Sequence, residues 1–183
     1  MDMAKDLFFA QQALMTLFSV TNKLQMLGDK RLRDITLRQM PAIPALVHAP
    51  DGRATVNHIA RSMGTTKQSA KQLVDAMERK KYLSVAPSER DKRAVNITIT
   101  AEGQAAFRVC SARTDEFLAD IFCGFTTGEL ETLCALLQKL YRFDGAGQEG
   151  LEGHTGYDAN AADDILSHHQ GFVRKRASAG EPE

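Results

Sequence analysis

The sequence predicts a mainly helical α+β fold, in which a helix-turn-helix and a two-stranded hairpin lie between long amphipathic helices. Three observations carry that expectation. Apolar residues recur at three- and four-residue spacing over most of the chain, as helices with one buried face require. Two short helical segments meet at a turn containing Gly64, the arrangement of a helix-turn-helix. Directly after them, Tyr82-Leu83-Ser84-Val85 and Ala94-Val95-Asn96-Ile97-Thr98-Ile99 flank a mostly charged loop; the second run alternates apolar and polar with period two, which marks a hairpin.

The elements follow in order. Leu7, Ala10, Leu14, Leu17, Thr21 and Leu24, with Phe8, Met15 and Phe18 on a flanking line, predict one long helix over about 5 to 28, ended by Gly28-Asp29. Thr36 followed by Gln39 is a capping box that starts a second helix, bent or loosened by Pro41 and Pro44 and stopping near His48. Thr55 caps a short helix over about 56 to 62, closed at Gly64, and Thr65-Thr66 caps another from about 66 to 80. Beyond the hairpin, Ala106, Cys110, Phe117 and Ile121 mark a long helix to about 122. Thr126 or Thr127 caps a last one, whose Leu130, Leu133, Cys134, Leu137, Leu140 and Tyr141 form one stripe.

With 183 residues, 43% of them apolar, the chain can bury a core in one domain plus an extension. Its 23 basic residues balance 23 acidic ones, but the charge is unevenly spread. Residues 145–183 hold seven of the 13 glycines and seven acids against three bases, leaving a basic body with a net charge of +4. Residues 53–93 alone carry ten bases against four acids. No apolar run spans a membrane, and Met1 to Lys5 lack the basic, then apolar, pattern of secretion, so a cytoplasmic location is expected. Three scattered cysteines, Cys110, Cys123 and Cys134, argue against a disulfide framework or a zinc site.

Two constellations carry the functional expectation. The helix from Thr66 to Lys80 turns Ala70, Leu73, Val74 and Met77 inward and crowds Lys67, Gln68, Ser69, Lys71 and Gln72 on the N-terminal half of its outer face. A major groove accepts such a helix end, since Gln bonds bidentately to adenine and Lys reaches guanine or phosphate. The plainer meaning of the same residues is a solvated face. The second constellation is the hairpin tip Ser88-Glu89-Arg90-Asp91-Lys92-Arg93. An arginine there can enter a narrow minor groove with a nearby carboxylate fixing its fork, although charged tips are ordinarily just soluble turns. Their adjacency, both bringing positive charge to what could be one surface, is what favours duplex DNA.

Ile35-Thr36-Leu37-Arg38-Gln39, Val56 to Gly64, Leu73 to Leu83, Asp91-Lys92-Arg93-Ala94-Val95 and Ile99-Thr100-Ala101-Glu102-Gly103 together resemble the successive signatures of the MarR-type winged-helix transcriptional regulators. The resemblance covers about 5 to 142. It implies a homodimerisation helix in 1–34, a winged helix-turn-helix DNA-binding lobe in 35–100, dimerisation helices in 101–144 and a Gly-rich acidic, largely flexible tail in 145–183. It further implies a homodimer on a palindromic operator, with Thr65, Thr66, Lys67, Gln68, Ser69, Lys71 and Gln72 at the major groove and Arg90, Asp91, Lys92 and Arg93 at the minor groove or backbone. Two departures stand out: Lys81 replaces the usual glycine after the recognition helix, and Val85-Ala86 stand where an arginine often enters the wing.

The same resemblance implies a ligand-responsive repressor with a small aromatic effector, for which Phe18, Met40, Ile43 and His48 are the lining candidates. Each is also a plausible core residue. The three cysteines read as buried small hydrophobes. His168 and His169, beside Asp163 and Asp164, point about 100° apart on a helix and cannot share one metal ion unaided. Neither a cofactor nor a catalytic motif such as G-x-S-x-G or H-E-x-x-H is present, so no enzyme is expected. The acidic tail could screen the basic face. An alternative from a different class is a winged-helix dimer serving as a protein-docking module without specific DNA binding.

Overall fold

The computed structural model describes residues 2–49, 52–88, 95–145, 166–167 and 169–179. Its helices are α1 (Met3–Leu32), α2 (Ala42–Val47), α3 (Val56–Ser62), α4 (Lys67–Arg79), α5 (Ala101–Phe122), α6 (Thr127–Tyr141) and α7 (Gln170–Ala179). Strands β1 (Leu83–Pro87) and β2 (Val95–Ile99) form the single antiparallel sheet among the described residues. The architecture is mostly helical with a small wing, as the sequence predicts.

α1 runs past Gly28-Asp29 rather than stopping there. Gly28 is buried inside the helix, where a Cβ would lie 3.0 Å from Leu37 Cδ2 and 3.2 Å from Phe117 Cε1. The Asp29 carboxylate accepts the Leu37 amide at 2.7 Å. These residues therefore bring α1 close to the next segment and to α5; the helix ends at Arg33, with φ 63°. Arg113 of α5 donates to the Leu32 carbonyl at 3.0 Å, satisfying a group the helix leaves unpaired.

The second helix also starts later than its capping box suggests. Gln39 does reach back to the Thr36 amide, at 3.0 Å, but residues 37–41 form turns and α2 begins at Ala42. Proline at 41 disfavours the helical conformation for Met40, so a helix cannot run through from Thr36. Pro44 lies in the first turn of α2, where its missing N–H forfeits nothing.

Thr55, Thr66 and Thr126 cap where the sequence puts them, and Thr100 adds a cap beyond those the sequence predicts. Thr55, Thr66, Thr100 and Thr126 each accept a backbone N–H three residues on, and Thr126 completes a reciprocal box with Glu129. Pairing within the wing runs from Leu83 opposite Ile99 to Pro87 opposite Val95. Ala54 adds an isolated bridge to Ile97, with exchanged hydrogen bonds of 3.0 and 2.8 Å. One core joins the lobe: Leu32, Ile35, Leu46, Ile59, Val74, Met77, Leu83 and Ile97 pack with Phe107 and Cys110 of α5.

Two further differences concern the C-terminal half. Cys110 is buried, but Cys123 and Cys134 are exposed, because α6 buries none of its residues against this chain. The tail, with little apolar surface of its own, nonetheless contributes α7, which packs on α5; its anchors are charged rather than apolar, which composition does not reveal. Asp163, Asp164 and His168 lie outside the described residues.

Candidate nucleic-acid interface

The lobe presents α4 with its polar face outward. Ala70, Val74 and Met77 are buried while Lys67, Gln68, Lys71 and Gln72 are exposed, so the helix is amphipathic in the sense the sequence predicts. Thr66 caps it: its hydroxyl oxygen accepts the Ser69 amide at 3.1 Å and lies 3.0 Å from the Ser69 hydroxyl. That leaves the helix N-terminus, with its partial positive charge, at the exposed end where the polar side chains gather.

Not all of these side chains are equally available. The Lys71 ammonium sits 3.0 and 2.8 Å from the two carboxylate oxygens of Asp75, one turn on. Lys67, Gln68 and Gln72 are exposed and lead the set. A cleft of about 240 Å³ separates α4 from the turn before α2, lined by Thr36, Arg38, Gln39, Thr65, Ser69 and Gln72 among others. Arg38 is exposed there. Sequence reasoning missed it because Thr36 and Gln39 were read only as a cap; a cation placed between two capping residues was the available signal.

α4 ends in a Schellman arrangement. The Lys81 amide donates to the Glu78 carbonyl at 2.7 Å and the Tyr82 amide to the Met77 carbonyl at 3.0 Å. Lys81 itself holds the left-handed conformation, φ 62°. The missing glycine therefore does not lengthen the helix or abolish the cap; a lysine carries the strain. Lys80 donates to the Asp34 carbonyl at 2.6 Å, tying this corner to the end of α1. β1 follows immediately, so the wing is rooted on the recognition helix.

Arg90, Asp91, Lys92 and Arg93 lie outside the described residues, within the tip that joins Pro87 to Val95. Of the effector-lining candidates, Met40 and Ile43 are neighbours against the core, the Ile43 amide donating to the Met40 carbonyl at 3.0 Å. Phe18 is 61% exposed on α1, His48 is exposed at the end of α2, and Ile43 packs against the core. Met40 lies against Cys110, Sδ to Sγ 3.3 Å. None of the four lines the groove of about 680 Å³ between α1 and α5, which Lys23, Leu24, Leu27, Arg31, Phe117 and Ile121 help to form. Burial pushes the Cys110 thiol up from its ordinary value, partly offset by the Thr114 hydroxyl, so it stays protonated and unreactive. Among the described residues no His, Cys, Asp and Glu cluster could hold a metal ion, and no helix is long and apolar enough to cross a membrane.

Comparison with known proteins converges on the same lobe. A family model described as the MarR family matches residues 33–94, which span every residue placed above at the major groove or the wing tip. The chain is similar, at 27% identity over 163 residues, to the transcriptional activatory protein BadR of Rhodopseudomonas palustris, covering 85% of this chain and 87% of that one. Among solved structures it is similar to a MarR/EmrR family transcriptional regulator from Acinetobacter sp. ADP1, with 26% identity, a TM-score of 0.62, and coverage of 72% of this chain and 93% of that one. It is likewise similar to S. aureus MepR in a complex with DNA, at 26% identity and a TM-score of 0.63, covering 69% and 93%. These relatives are named as transcriptional regulators or seen bound to DNA, not as enzymes. Residues 33–94 thus match the MarR family, and the chain is similar in fold to a MarR/EmrR family transcriptional regulator.

Proposed function

We propose that this protein is a cytoplasmic homodimer that binds a palindromic operator in double-stranded DNA sequence-specifically and acts as a ligand-responsive repressor. The observation that carries DNA binding is the exposed polar end of α4, capped by Thr66 and bearing Lys67, Gln68 and Gln72, inside the family-matched segment. These residues, with Thr65, Ser69 and Lys71, read base edges and phosphates in the major groove. Arg93, fixed by Asp91 and flanked by Arg90 and Lys92, enters the minor groove. Arg38 adds a phosphate contact beside the recognition helix.

Dimerisation is supported by apolar surface that this chain leaves uncovered. Phe8, Met15 and Phe18 of α1 and Leu137 and Leu140 of α6 are each 44–61% exposed. Burying such a side chain is worth about 1.5–3 kcal/mol, so several together favour a second copy strongly. Two-fold symmetry then sets the half-sites roughly 34 Å apart. The named activator among the relatives makes the sign of regulation an experimental question for this chain; a reporter whose expression rises when the protein is removed supports repression, and one that falls supports activation.

Fluorescence anisotropy on duplexes from the upstream region, against random duplex at two salt concentrations, tests the binding itself. Preferential binding is expected, with log affinity falling by about 0.9 per neutralised phosphate per decade of salt. Lys67→Ala or Gln68→Ala should weaken the preferred duplex and relax base preference, each by roughly 1–3 kcal/mol. Equal, salt-insensitive behaviour on both duplexes would instead indicate a protein-docking module.

A further inference from the structure

α7 is held along α5 by backbone proximity and by charge. At Gly171 a Cβ would lie 3.2 Å from Asp115 Cβ, so glycine permits the close approach. Nδ1 of His169 lies 2.7 Å from the buried Asp115 carboxylate. Lys175 pairs with Asp120, whose carboxylate also holds Arg31 of α1, so one acid links three helices. Arg176 donates from Nη1 to the Phe122 carbonyl at 2.8 Å and from Nη2 to the Phe125 carbonyl at 2.5 Å.

One carbonyl ends α5 and the other lies within the elbow, residues 123–126, through which α5 turns into α6. The Phe122 carbonyl, at the C-terminus of α5, carries partial negative charge and accepts the Phe125 amide at 3.1 Å as well as Arg176. A planar guanidinium bonded to both fixes the elbow in one geometry, which a flexible point charge would not. α6 needs such a constraint, since none of its residues is fully buried in this chain. At its far end the Tyr141 ring occupies the space beside Gly64 where a Cβ would otherwise sit. Gly64 lies in the turn after α3, immediately before the Thr65-Thr66 start of the recognition helix, and has φ 60°.

We propose that α7 is a strap that sets the α5–α6 elbow, with Arg176 as its positioning residue, and that α6 transmits this setting through Tyr141 to the turn before the recognition helix. The proposal rests on the DNA-binding reading above. Its consequence is that a residue remote from DNA fixes which separation of half-sites the dimer accepts.

The test uses the full-length chain carrying Arg176→Gln, titrated onto duplexes whose half-sites are moved apart one base pair at a time, with amide exchange followed at residues 119–128. The expected result is roughly tenfold weaker binding at the preferred spacing, since charge-assisted bonds are lost, together with a broadened spacing profile and faster exchange at the elbow. A merely stabilising role would lower affinity evenly at all spacings. Arg176→Lys, which keeps the charge and one donor, should recover part of the profile. Gly171→Val, which wedges α7 away from Asp115, should reproduce the Gln variant's behaviour if that variant folds poorly. Unchanged spacing and exchange in both variants would overturn the strap. If the parent protein shows no salt-sensitive duplex binding, the DNA reading fails by itself, and exchange decides the strap: faster at 119–128 in the variant sustains it, equal rates refute it.

Discussion

Replacing Gly103 with alanine separates two physical effects of opposite sign. In an open helical position the change would stabilise the protein by about 1 kcal/mol through helix propensity. Gly103, however, lies in the first turn of α5 against the carbonyl of Tyr82, and an added Cβ would drive into that oxygen while lying 3.1 Å from Ile99 Cγ2. The obstacle is backbone and cannot rotate aside. Relief requires α5 to move outward, which strains the Thr100 hydrogen bonds to the Tyr82 carbonyl (3.1 Å, from its amide) and to the Lys81 carbonyl (2.5 Å, from its hydroxyl). Overpacking costs about 1–3 kcal/mol and a lost hydrogen bond about 1 kcal/mol; less the propensity gain, the net is a loss of about 2 kcal/mol. For a chain of this length that lowers Tm by roughly 4–8 °C. Thermal unfolding followed by far-ultraviolet circular dichroism, at fixed protein concentration because a dimer's stability depends on it, reads the change directly. A Tm equal to or above the parent's would refute the close contact between α5 and the root of the wing.

Other positions give complementary outcomes. Lys81→Gly removes a left-handed non-glycine, worth about 1–2 kcal/mol, against a glycine entropy cost of about 0.5–1 kcal/mol; urea denaturation should show a small net gain, and a loss would mean Lys81 contributes contacts that offset its strain. Thr66→Ala removes the cap of the recognition helix and should cost about 1 kcal/mol, with weaker duplex binding in the anisotropy assay. Lys175, and then Arg31, hold the Asp120 carboxyl below its ordinary value of 3.8. Because the folded value is the lower one, this contribution is present above 3.8 and is lost as the pH falls through the folded value. Protection of the α7 amides, taken relative to intrinsic exchange, should therefore fall in that acid range, and Asp120→Asn should remove that part of the acid dependence.

Much of the lobe was legible because its determinants are local. The caps at Thr55, Thr66 and Thr126, the period-two strand around Ile97 and the inward set Ala70, Val74 and Met77 each follow from a few adjacent residues. The misjudged features depend on distant neighbours. Gly28 reads as a terminator until Leu37 and Phe117 are seen across it, and Cys134 reads as buried until α6 is seen to lack a companion within its own chain. α7 escaped because short charged helices leave no apolar period; its docking depends on Asp115 and Asp120, more than fifty residues earlier in the chain. In the candidate interface, the outward face of α4 followed from the sequence, whereas the pairing of Lys71 with Asp75 and the position of Arg38 needed the structure.

Ile97 stands fully buried between two neighbours, opposite Val85 on one side and Ala54 on the other. A one-residue slip of β2 would expose it and turn Asn96 or Thr98 into the core, so the strand register is locked at its middle. Length changes within the strands are thereby forbidden, while changes confined to the loop between Pro87 and Val95 leave the lock intact. The root of the wing is thus pinned by its register, and the loop beyond it can change in length or sequence without disturbing how the lobe folds.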